Sequence, residues 1–271
     1  MITFKSTAIA IATTILCTTV NYAQANTSLA QAISGEQRSV AHKARDEYRH
    51  PEQTLTFFGF TPKMTVVEIT PGGGWYMEIL APALKDEGKY YAAQYPDTGK
   101  DNYYSNSRKQ LIKKLASDPI YSKVSITDFV PKKASELAPQ GSADLVLTFR
   151  NLHNWGEAGM KQVFEDAYRA LKVGGVLGIV EHRMPKSQNW KTNMRSGYVP
   201  TDMVIKFAKE AGFTLVDSSE INANPKDTAN HPKGVWTLPP VLRLKDVDKA
   251  KYLAIGESDR MTLKFAKLAK Q

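Results

Sequence analysis

Two rhythms of apolar and polar residues alternate along this chain. Short runs of aliphatic and β-branched residues predict strands at residues 65–69, 90–93, 124–127, 143–149, 176–180 and 214–218, with a seventh at 235–238. Between them, apolar residues recur at helical spacing, predicting helices at about 75–84, 107–117, 157–171 and from 200 or 201 to 211. The run 143–149 is apolar almost without interruption, as expected of a strand covered on both faces in a parallel sheet. Strands and helices in regular alternation predict an α/β fold with a doubly wound, mostly parallel sheet of seven strands. A helical lead over residues 29–48 precedes it, then a helix opened by Pro51 and closed by Gly59. Met261, Phe265 and Leu268 place one apolar stripe on the tail, which predicts an amphipathic helix over 258–270.

The first 25 residues follow a different pattern. Met1 to Lys5 is a short cationic start, residues 6–17 are small and apolar, and Ala23-Gln24-Ala25 fits a cleavage site. Residues 1–25 therefore read as a signal peptide and 26–271 as one domain, exported to a periplasm or the outside. An uncleaved anchor fits less well, because the apolar run is shorter than the ~20 residues a span needs. A lipid anchor on Cys17 is disfavoured by the bulky Leu16 before it. No other segment is apolar and long enough to span a membrane. Cys17 is the sole cysteine, so no internal disulfide forms and stability rests on the core.

The formal charge is +9, and +8 without Lys5, the one charged residue in the first 25. The lysines are scattered, and no stretch interleaves aromatics with cations as a nucleic-acid groove would, so a solvated basic surface is expected rather than a face for nucleic acid or anionic membrane. The pattern says nothing about oligomeric state.

In an open parallel sheet, ligands bind beyond the carboxyl ends of the strands, beside strand one. Those ends carry Glu68, Thr70, Gly72, Gly73 and Gly74; then Gln94; then Asp128 and Phe129; then Arg150, Asn151 and His153; then Glu181 and His182. Convergence of His153, Glu181 and His182 would suit proton abstraction. A metal ion is not expected there, since adjacent strand residues point to opposite faces. Glu257, Asp259 and Arg260 read as a structural ion-pair cluster.

The spacing from Glu68 to Gly74 resembles the acid-x-Gly-x-Gly-x-Gly loop of Rossmann-like S-adenosylmethionine-dependent methyltransferases. Thr70 stands in the first glycine's place. Leu171-Lys172-Val173-Gly174-Gly175 and Ala211-Gly212-Phe213 resemble that family's later turns. More narrowly, Pro71 to Tyr76, the Phe149 to Trp155 segment and Gly256 to Met261 are similar to a group of exported bacterial proteins classed as predicted methyltransferases. The resemblance implies S-adenosylmethionine as cofactor and methyl transfer to a small molecule. It places Gly72 and Gly74 near the methionine end, with Glu68 holding the loop or the amino group. It puts Gln94 at the ribose in place of the usual acid, Asp128 and Phe129 near the adenine, and Arg150 to His153 near the methionine and substrate. An exported binding protein that keeps the fold without the chemistry is the alternative. A dinucleotide-dependent dehydrogenase fits less well, because Gly72-Gly73-Gly74 lacks the Gly-x-Gly-x-x-Gly spacing.

Overall fold

The computed structural model describes residues 28–269. The signal-peptide expectation lies outside them. Seven strands form one sheet: β1 (Thr65–Ile69), β2 (Lys89–Gln94), β3 (Val124–Asp128), β4 (Ala143–Phe149), β5 (Leu171–His182), β6 (Thr214–Ser219) and β7 (Arg260–Ala266). Their spatial order is β3-β2-β1-β4-β5-β7-β6. Every pairing is parallel except those of β7, which runs antiparallel to both β5 and β6.

Strand alternation explains why the apolar runs are continuous. In β1, Val67 and Ile69 enter one buried cluster with Leu177, Leu263 and Phe265, while Val66 enters the opposite one with Leu145 and Leu147. Helices cover both faces. The first cluster is sealed by α7 (Leu152–Ala170) and α8 (Thr201–Glu210) through Val163, Phe164, Val204 and Phe207. The second is sealed by α4 (Pro51–Phe58), α5 (Met77–Leu84) and α6 (Tyr103–Leu115) through Leu55, Phe58, Ile79, Leu80 and Leu111.

Four expected elements differ. The tail is not an amphipathic helix but β7, buried on both faces. Met261 and Phe265 satisfy both periods, and Leu263 between them decides for period two: all three point into one cluster. Long-range pairing with β5 and β6 then overrides local preference. Residues 235–238 form no strand; Gly234–Thr237 is a 3-10 turn, because β7 already fills the seventh place in the sheet. The helical lead is also broken, into α1 (residues 28–34), α2 (Val40–Lys43) and α3 (Asp46–Arg49), with Pro51 opening α4 and Gly59 capping it in the left-handed region. Finally, α7 starts at Leu152 rather than 157, and Gly156 (φ 64°) breaks it after one turn, so His153 stands on its own short helical turn.

Candidate active site

The turn after β1 is strained and open. Thr70 is held at φ 50°, where a β-branched residue is an outlier, and Gly72 and Gly74 follow at φ 59° and 80°. The following proline disfavours the right-handed α region for Thr70. The Thr70 amide donates to the Ala93 carbonyl (2.7 Å), and Asn151 Nδ2 donates to the Ile69 and Thr70 carbonyls (3.2 and 3.3 Å), clamping the turn between β2 and β4. A Cβ at Gly72 or Gly73 would meet nothing within 4 Å, whereas one at Gly74 would lie 2.9 Å from Met77 Cε. The Thr70 hydroxyl is buried and has no hydrogen-bond partner. Trp75 and Tyr76 are buried, and they tie the helical lead to this turn: Trp75 Nε1 donates to the His42 carbonyl (2.9 Å), and the Tyr76 ring stacks on Phe149.

Beneath the turn, Glu68 accepts from the Tyr90 hydroxyl. Burial drives its carboxyl up to about 7, against the pull of Tyr90, Arg150 and Arg49. Gln94 is fully buried with each end engaged once inside the protein: Oε1 accepts from the Tyr95 amide (3.0 Å), and Nε2 donates to Ser107 Oγ (3.1 Å). Asp128 is exposed and paired with Arg108 (3.0 Å) at a cavity on the β3 side, while Phe129 is buried against Tyr95 and Trp155. Neither lines the cavity that holds the histidines.

That cavity, about 480 Å3, lies over the ends of β4, β5 and β7. His153, Glu181 and His182 converge there, their ligand atoms within 4.8 Å of one another. Glu181 is buried and fully engaged: Oε2 accepts from the Leu152 amide (2.6 Å), and Oε1 accepts from the His182 amide (2.8 Å) and faces His153 Nδ1 (3.1 Å). A carboxylate that accepts at Nδ1 selects the tautomer with a bare Nε2. His182 Nδ1 lies 2.5 Å from Ser258 Oγ. Burial holds the His182 imidazole well below its ordinary range, with His153, Arg150, Arg260 and Arg49 adding to the effect, so it is neutral at pH 7. With the Glu181 oxygens spent and three guanidiniums nearby, the group is poorly suited to a cation.

Several site residues were not singled out from the sequence. The ion-pair cluster read at 257–260 is present but larger than its local spacing shows. Glu257 accepts from Arg45 (2.6 Å), Arg49 (3.3 Å) and Arg260 (3.2 Å). Burial pushes the Glu257 carboxyl up, and Arg49, Arg260, Arg150 and Arg45 together outweigh it and hold it at about 2. Arg45 and Arg49 lie one helical turn apart in the lead, a spacing that marks one face but names no partner. Trp236 comes from the segment expected to be a strand and Arg243 from the loop beyond it, and both line the cavity.

No protein-family model and no curated protein matches the sequence. Solved structures do match it in three dimensions. A putative sarcosine dimethylglycine methyltransferase from Galdieria sulphuraria superposes with a TM-score of 0.57 at 12% identity, covering 83% of this chain and 86% of that one. The geranyl diphosphate C-methyltransferase of Streptomyces coelicolor A3(2), solved with Mg2+, geranyl diphosphate and S-adenosyl-L-homocysteine, gives 0.56 at 13% identity, covering 88% and 87%. The fold is that of Rossmann-like methyltransferases. The [4+2]-cyclase SpnF shares it too (0.55, 12% identity, 93% and 96% covered), so the methyltransferase fold alone does not name a reaction. S-adenosylmethionine, the cofactor implied by this fold, would meet residues that fit it unevenly. Its methionine end fits the open, left-handed turn and the unpartnered Thr70 hydroxyl. Its ribose end meets Gln94, a buried amide with one donor and one lone pair already engaged inside the protein.

Proposed function

We propose that this protein is an S-adenosylmethionine-dependent methyltransferase acting on a small molecule. One juxtaposition carries the reading: the open turn at Gly72 and Gly73 and an imidazole oriented by Glu181 stand over adjoining ends of the same sheet. The cofactor would supply a sulfonium methyl. The chain's part is to cradle it with the backbone at Gly72 to Gly74, present the Thr70 hydroxyl to its polar end, and seat the acceptor in the cavity floored by His153 and His182. With Nδ1–H turned toward Glu181, His153 Nε2 is free to take a proton from an acceptor hydroxyl, thiol or ammonium. Positioning supplies much of the remainder, since a displacement at a methyl group needs alignment above all.

A second reading, an exported binding protein that keeps the fold, is favoured by the internal bonding of Gln94. Titration calorimetry with S-adenosylmethionine and S-adenosylhomocysteine separates the two. Micromolar binding, weakened at least about tenfold in Gly72→Val, is expected of the methyltransferase. The absence of heat at millimolar ligand would sink it and leave the binder. Export belongs to the same proposal. Intact mass of protein recovered from a bacterial periplasm is expected to match a chain beginning at Asn26; an uncut chain in the cytosol would contradict it.

A further inference from the structure

We infer that the cavity over β4, β5 and β7 takes a small organic acid, a carboxylate or phosphate on a flat apolar body, and that Arg150 and Arg243 bind its anion. The inference deepens the methyltransferase reading and rests on it only in treating this acid as the methyl acceptor.

The charge balance of the walls points to an anion. Three guanidiniums line the cavity, from Arg45, Arg150 and Arg243, against one carboxylate, Glu257. That carboxylate is shared: Arg45, Arg49 and Arg260 all donate to it, and Arg150 feels its charge without bonding to it. Among the described residues, Arg150 makes no side-chain hydrogen bond and no ion pair, although it is only partly exposed. It is nevertheless held in place. Its backbone sits at φ 60°, a strained value for a long side chain, and its amide donates to the Val180 carbonyl (2.7 Å). A guanidinium with unused donors on a held backbone is a ready carboxylate or phosphate fork. Arg243 has no carboxylate partner among the described residues either, and its guanidinium lies 5.0 Å from the centre of the Trp236 ring.

The other wall fixes the rest of the ligand. Val235, Pro239, Pro240 and Val241 are apolar, and the Trp236 indole lies 5.8 Å from the His153 ring. A flat apolar body against Trp236, with its anion at the arginines, brings its far substituent toward the imidazoles. The volume suits a ligand of this size. The positive field also favours the deprotonated form of an acceptor hydroxyl, which aids the proton transfer assigned to His153.

The same guanidinium chemistry could instead serve the carboxylate of S-adenosylmethionine, and the experiment separates the two sources. Calorimetry compares 4-hydroxybenzoate with its neutral isostere 4-hydroxybenzamide on the wild type, Arg150→Gln and Arg243→Gln, without cofactor. The acid is expected to bind about tenfold or more tightly than the amide. That preference should collapse in Arg150→Gln and fall several-fold in Arg243→Gln, whose exposed position makes folding safe. Equal affinities in the wild type, no binding of the acid at millimolar concentration, or an unchanged preference in both variants would overturn the inference. In a parallel arm, S-adenosylhomocysteine is compared with 5′-methylthioadenosine, which lacks the amino-acid carboxylate. If Arg150→Gln weakens only the former and leaves the benzoate preference intact, the arginine serves the cofactor and the inference fails. Because the benzoate arm contains no cofactor, its outcome is independent of whether the methyltransferase reading holds.

Discussion

At the scale of single residues, burial sets the chemistry. Glu68 has an ordinary value of 4.5 and stands at about 7 in the fold. Between those values the native chain holds a proton that the unfolded chain has released, so this group withdraws stability as pH rises through that window. The full window corresponds to about 3 kcal/mol. Glu68→Gln, which still accepts from Tyr90, is expected to gain most of that relative to the wild type between pH 5 and pH 8 in urea denaturation. An unchanged difference would show that Glu68 is ionised in the native protein. His182 has the opposite sign: kept neutral by burial, it takes up its proton only on unfolding, so stability falls as pH drops below its ordinary 6.5. The two windows overlap and oppose, so Glu68→Gln should also lose stability more steeply in acid. His153 yields a direct spectroscopic prediction. Long-range 1H–15N spectra should show the proton on Nδ1 and a bare Nε2, and Glu181→Gln should shift that preference.

At the scale of elements, stability depends on joints between segments distant in sequence. The chain arrives at Glu257 from α3 and its N-cap, through Arg49 and Arg45, and leaves it through Arg260 at the start of β7. Removing this buried carboxylate leaves three guanidiniums uncompensated, a loss of about 3–5 kcal/mol. Glu257→Gln is therefore expected to lower Tm by about 10 °C in a scanning experiment. The acid limb follows the same sign: with its carboxyl held at about 2, Glu257 contributes stability above its ordinary 4.5 that is lost as pH falls from there toward 2. β7 is the other joint. It lies between β5 and β6, pairing with residues 176–182 on one side and with 214–219 on the other. A chain ending at Asp259 is expected to lose its cooperative thermal transition. A truncated protein that still melted sharply would mean that β5 and β6 can close directly on each other.

At the scale of the whole molecule, the sheet order gathers charge that is dispersed along the chain. The basic residues look scattered in sequence, yet Arg45, Arg49, Arg150 and Arg260 converge around Glu257 at the carboxyl end of the sheet. A field of this kind is screened by salt. Binding of 4-hydroxybenzoate should weaken several-fold between low salt and about 0.5 M KCl, a range over which the Debye length falls to a few ångströms. The neutral amide should change little; parallel losses for both would mean that salt acts on the fold rather than on the charge.

Much of the architecture was legible because it follows from local rules. The continuous apolar runs of β1 and β4 require cover on both faces, Pro51 and Gly59 bracket α4, and the Pro71 to Gly74 turn can be placed by its glycines alone. The approach of His153 to Glu181 follows from β4 and β5 being neighbours, which the family resemblance implied. What remained hidden depends on partners far away. Met261 and Phe265 fit a helix as well as a strand, and the place between β5 and β6, with Leu263 on the same face, chose the strand. Gln94 stands where a ribose ligand was expected, and only the arrival of Ser107 from α6 shows that its amide already has a partner inside the protein. Arg150 could be assigned to a strand end from sequence, but its want of a partner could not. A charge is left unpaired by what fails to reach it, and that depends on the whole fold.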